Sequence, residues 1–170
     1  MTAVVAVCII MTLFFIYRTH QQLPARQNPA QAPTPSQSTV KMIAKDGRFI
    51  AFDNGTVLDT STNLMWAAKD NGRNINWTKA RSYCENYRSG GHSDWRMPTQ
   101  HELAGLYDKN KESRNGNHVS DLIEITACCP WTSETHGSDA AIFVFNSGIW
   151  HWLSQSINSG CRALPVRSAK

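Results

Sequence analysis

The chain has 170 residues, 41% of them hydrophobic, and a formal net charge of +4, which suits one packed domain plus an appendage and argues against two domains. Setting aside Arg18 and Arg26 lowers the charge to +2, and the remaining charges are interspersed, so no nucleic-acid partner is expected. All 13 acidic residues lie from Asp46 onward, which places a boundary near Val40.

Residues 1–20 open with a nearly continuous apolar run, 3–17. As a helix it would span about 22 Å against a bilayer core of about 30 Å, short for an anchor and also compatible with a signal segment. The next small-x-small site, at 30–32, lies too far downstream for ordinary cleavage, so an uncleaved membrane helix is the favoured reading. Arg18 follows the run and no Lys or Arg precedes it, a bias that opposes export. Residues 21–40 hold four of the seven prolines and five glutamines without an acid, the composition of an extended linker. Residues 41–170 form the domain.

Within the domain, RFIAF (48–52) and TVLD (56–59) read as a hairpin turning at Asn54-Gly55, and LMW (64–66) as a third strand. Trp77, Ala80, Tyr83, Cys84 and Tyr87 recur at helical spacing, which predicts a helix over 77–88, capped by Asn76 and ended by Gly90 and Gly91. GGHSDWRMPTQHEL (90–103) then joins it to a second helix. Pro98 holds Met97 extended, and Thr99 with Glu102 makes a capping box. Residues 108–126 are polar, with Val119, Leu122 and Ile123 as anchors, and predict a long excursion containing at most one helical turn. PWTSE, AIFVFNSG, IWHWLS and CRALPVR are short strands, the second covered on both faces because apolar residues occupy both. Strands, two helices, then strands imply an α+β fold with antiparallel sheets.

Cys84, Cys128, Cys129 and Cys161 are the domain's cysteines. A bridge between Cys128 and Cys129 is strained by adjacency, so two patterns are expected instead: Cys84 and Cys161 each tied to the pair, or Cys84 tied to Cys161 with the pair reduced. A Cys84–Cys161 loop would contribute about 4 to 5 kcal/mol in the chain-entropy model.

The ordered set GTVLDTSTNLMW, W-x-x-A-x-x-YC, GGHSDWRMPT-x-x-EL, WTSE, AIFVFNSG and L-P-V-R, over about 47–168, resembles the Lcl C-terminal domain family, named for the end of a Legionella collagen-like protein. The resemblance implies a fold similar to C-type lectins and to sulfatase-modifying enzymes, in an exported or surface-displayed domain that binds or adheres. It departs at Pro165, which stands where the family often has a cysteine. That undercuts a borrowed bridge to Cys84 and makes the Cys128-Cys129 pair a local substitute.

Trp95, Arg96, Thr99 and Glu102 read as structural, since turn, cap and burial account for them. Trp66, Trp77 and Trp131 lie inside the matched motifs and read as core. Trp150 and Trp152 share one strand face with His151 opposite. Core is the more economical reading, and a ligand-stacking platform the alternative. His136 and Asp139, with Glu134, sit in the segment 133–140 as further binding candidates. The calcium signatures of C-type lectins, E-P-N, Q-P-D and W-N-D, do not occur, and no nucleophile carries a local signature, so no metal, cofactor or catalysis is expected. The expected protein is a membrane-tethered binding module with its domain in the periplasm or outside the cell. A glycan or surface protein would be its ligand, met by loops on a rigid scaffold, the excursion 108–126 and the loop 133–140, with Trp150, His151 and Trp152 as further candidates. An envelope or pilus-like assembly, homo-oligomeric or otherwise, and a sulfatase-modifying-type oxidative enzyme are the alternatives.

Overall fold

The computed structural model describes residues 39–170. The expected membrane segment at 1–20, and the linker up to residue 38, lie outside the described residues. Among the described residues no helix is long and apolar enough to cross a membrane.

Nine strands and two helices make up the domain, an α+β fold with two sheets. The first sheet is antiparallel, in the order β1 (Met42–Asp46), β2 (Phe49–Phe52), β3 (Thr56–Asp59), β4 (Leu64–Ala67) and β9 (Val166–Ser168). Three of these strands stand within a residue of their expected places. Strand β1 is not expected from its sequence: the apolar Met42 and Ile43 are exposed while the charged Asp46 is half-buried, so polarity does not alternate as it does in a half-buried strand. The two-residue turn that makes it is Gly47-Arg48, between the paired Asp46 and Phe49, with Gly47 at φ 57°, and glycine at the first position of such a turn is a hairpin signal. At the next turn only Gly55 takes positive φ.

The second sheet has the order β7 (Ile149–Ser154), β6 (Asp139–Val144), β5 (Cys129–His136) and β8 (Cys161–Arg162). It is not wholly antiparallel as expected, because β8 runs parallel to β5. A parallel neighbour arises from a crossover, which leaves no local turn signal in sequence. As expected, β6 is covered on both faces. Phe143 belongs to the apolar cluster of Phe49, Val57, Trp66, Leu103, Leu106 and Val166, and Ile142 to that of Ile75, Ala80, Met97, Trp131 and Ala163.

Helix α1 (Trp77–Glu85) starts at Asn76, whose side chain accepts from the Lys79 N–H. It ends three residues earlier than expected. Asn86 leaves the helical region with its N–H still bonded to Ser82, and its side-chain amide donates to the same carbonyl. Gly90 and Gly91 therefore serve a separate turn closed by the Ser89–His92 bridge. Gly90 is required there twice over: its φ is 62°, and a Cβ would come within 2.9 Å of Thr56 Cγ2.

Helix α2 (Gln100–Leu106) has the expected capping box in full, Thr99 accepting from the Glu102 N–H and Glu102 from the Thr99 N–H. Glu102 also accepts two hydrogen bonds from Arg96, at 2.5 and 2.8 Å. Trp95 is 3% exposed and meets the Tyr87 ring edge-on at 5.1 Å. Arg96 and Val166 exchange both backbone hydrogen bonds, so the joint is stitched to the last strand as well.

The excursion 108–126 forms turns and no helix. It is pinned at several points: His118 N–H donates to Phe145 C=O, Glu124 N–H to Ala68 C=O, and Val119, Ile123 and Ile125 are buried. Asp70, 4% exposed, accepts from the Thr126 N–H at 2.7 Å and from the Thr126 hydroxyl. Leu122, an expected anchor, packs only partly, and Ile125 takes its place.

Candidate functional site

The expected structural tryptophans divide by how they are held. Trp66 and Trp131 are fully buried, and Trp131 Nε1 donates to the Ile75 carbonyl at 2.8 Å. Trp77 is half-buried and donates to the Thr132 carbonyl at 2.9 Å.

Trp150 and Trp152 are instead exposed, at 49% and 40%, which overturns the core reading for this pair. Register explains why. Trp150 pairs with Phe143 and Trp152 with Ala141, and cross-strand partners project to the same face. The two indoles thus continue the buried face of β6 one strand outward, onto an edge strand where the cover has stopped. Their rings lie 5.9 Å apart and nearly perpendicular, and the His136 ring stands 6.0 Å from Trp152. His151, expected on the opposite face, is exposed too, as are Ile149 and Ile157. Ile149 and Ile157 were not singled out in the sequence, where short apolar runs give no sign of which strand ends a sheet.

The segment 133–140, expected as a loop, is a tight hairpin in which β5 and β6 turn at Gly137-Ser138 and His136 pairs with Asp139. The backbone carbonyl of Asp139 accepts from the Gln155 amide, and both carboxylate oxygens of Glu134 accept from the Gln100 N–H. Glu134 is thereby turned toward α2. Among the described residues no three His, Cys, Asp or Glu side chains gather as metal ligands.

A cleft of about 400 Å³ opens elsewhere, lined by Trp77, Arg81, Glu85, Arg96, Met97, Thr99 and Ser133. Its two arginines are already paired, Arg81 with Glu85 at 2.8 Å and Arg96 with Glu102, so it presents little uncompensated charge to a ligand. Burial raises the Glu102 carboxyl, but hydrogen bonds from Arg96 and from Thr99 outweigh it and hold the group below its ordinary value.

The cysteines follow neither expected pattern. Cys128 and Cys129 are joined to each other, while Cys84 and Cys161 are free and buried. Cys84 lies on the inner face of α1, whereas Cys161 is held against β5 by the parallel pairing, a non-local placement that local chain geometry did not reveal. Burial pushes the Cys84 thiol up to about 12 and the Cys161 thiol to about 11.

The family model for the Lcl C-terminal domain matches residues 55–167. A search of curated proteins found no match.

Proposed function

Because the chain belongs to the Lcl C-terminal domain family, we propose that it is a non-enzymatic binding module, displayed outside the cytoplasm on a C-type-lectin-like scaffold, that recognises a glycan. The observation that carries this reading is the exposed pair Trp150 and Trp152 on the edge strand β7, with His136 beside Trp152. Indole faces supply large, rigid apolar area at small entropic cost, and His136 adds a hydrogen-bonding group at the rim. Sugar rings present an apolar C–H face beside hydroxyls, which matches that combination. Among the described residues both rings stay largely open to solvent, so their apolar surface is available to a ligand.

Glycan-array binding by the full chain tests the reading. Wild-type protein should retain a defined set of glycans, and Trp150→Ala and Trp152→Ala should each lose at least tenfold in affinity while keeping the native fold by circular dichroism. Unchanged binding in both variants would defeat the proposal. A second reading, a subunit of an envelope assembly, is favoured by the other sheet edge, where Val40, Met42 and Ile43 are 51 to 62% exposed along and just before β1. Under that reading a partner chain should copurify with the wild type and be lost on Ile43→Lys.

A further inference from the structure

The parallel pairing of β5 with β8 sets Cys129 directly opposite Cys161. Neighbouring strands are about 4.8 Å apart, inside the range of roughly 4.4 to 6.8 Å over which two Cα atoms can be disulfide-linked. Cross-strand partners share a face, and Cys129 and Cys161 belong to one apolar cluster, with Cys128 packed against it. A free thiol therefore shares a strand face and an apolar cluster with an existing disulfide. The two ends of that disulfide differ: Cys129 is buried, whereas Cys128 is half-exposed. The bridge joins adjacent residues, so it ties no two elements of the fold together, and opening it requires no unfolding.

We propose that Cys161, Cys129 and Cys128 form a three-sulfur exchange site that delivers a reactive thiol to the surface at Cys128. The Cys161 sulfur, in the thiolate fraction that its burial keeps small at neutral pH, attacks the Cys129 sulfur. A Cys129–Cys161 bond forms, the Cys128–Cys129 bond breaks, and its electron pair leaves on Cys128. The proton lost by Cys161 is matched by the one Cys128 gains, and no net oxidation occurs. Attack at the inner sulfur expels the outer one, the sulfur that water can reach and solvate as it leaves. The product links β5 to β8 through a loop of about thirty residues and presents Cys128 as the modification site for a thiol-reactive electrophile or a second disulfide.

The test uses the full chain, oxidised and free of added reductant, incubated with N-ethylmaleimide under native conditions. It is then quenched in acid, digested and mapped by mass spectrometry. Wild type should accumulate label at Cys128 together with a Cys129–Cys161 linked peptide, because alkylation draws the exchange forward. Cys84→Ser should behave like wild type. Cys161→Ser should keep the Cys128–Cys129 bridge and show at least a tenfold loss of Cys128 labelling. Cys161→Ala repeats that arm should the serine hydroxyl disturb the buried site. The wild-type map is decisive without either variant. Persistent Cys128–Cys129 linkage, with Cys161 alkylated only after denaturation, would overturn the proposal, as would a linked peptide containing Cys84 in place of Cys161.

Discussion

Trp95 and Trp150 are the same residue in opposite circumstances. Trp95 lies beneath the turn that leads into α2, 3% exposed and edge-on to Tyr87, with its neighbour Arg96 bonded to both Glu102 and Val166. Trp150 stands on the last strand of its sheet, 49% exposed, with β6 on one side and solvent on the other. Around Trp95 the local chain dictates everything: a glycine turn, a proline, a cap. Around Trp150 the deciding fact is that, among the described residues, no strand pairs with the outer side of β7. A tryptophan's role here is set by local chain motifs in the first case, which the sequence announces, and by sheet order in the second, which it leaves unsaid.

That contrast can be broken most forcefully at the buried end. Trp131→Ala removes a fully buried ring that bonds the Ile75 carbonyl, and should cost about 3 to 5 kcal/mol, read as a lower urea midpoint. Loss of less than about 1 kcal/mol would mean that burial does not separate the two classes.

A middle-sized effect belongs to the joint. Thr99→Ala deletes the cap of α2 and should cost about 0.5 to 2 kcal/mol in the same assay. Glu102 sharpens the point through pH. Its folded value lies below its ordinary value of 4.5, so its contribution to stability is complete above the unfolded value and is lost as pH falls through the folded one. Wild type should therefore lose stability on acidification over that window more steeply than Glu102→Gln, whose side chain does not titrate. Parallel curves for the two proteins would show that the Arg96–Glu102 pair does not couple to folding.

The smallest expected change in stability is at the exposed end, where Trp150→Ala and Trp152→Ala should each shift the midpoint by no more than about 0.5 kcal/mol. A large loss there would return these rings to the core and remove the ground for a ligand platform.

Legibility in the sequence tracks the range of the interaction. The Thr99–Glu102 box, the Asn76 cap and the β3–β4 turn, with Asn63 at φ 55°, are settled within a few residues, and the chain displays them openly. Helix α1 was overrun because Tyr87 keeps the helical spacing of apolar residues while packing on Trp95 from outside the helix. Strand β1 is hidden because its polarity does not follow its burial: Met42 and Ile43 are apolar yet exposed, and Asp46 is charged yet half-buried. The placement of Cys161 and the parallel strand β8 depend on partners about thirty residues away, and the exposure of Trp152 depends on which strand ends the sheet, whereas the Cys128–Cys129 bridge is local and only the strain of adjacency argues against it in the sequence. The candidate site was thus legible as residues and illegible as a surface.

The pairing of Trp66 with Val166 also governs the order of assembly. Strands β1 to β4 can zip together as successive hairpins soon after they are made, yet the outer rim of β4 waits for a partner about a hundred residues later in the chain. At a synthesis rate of roughly 5 to 20 residues per second, that rim stays unprotected for several seconds at least. A nascent molecule held at this point would offer open backbone to any neighbouring polypeptide, so chaperone escort during biogenesis matters more here than for a fold whose sheet closes in sequential order.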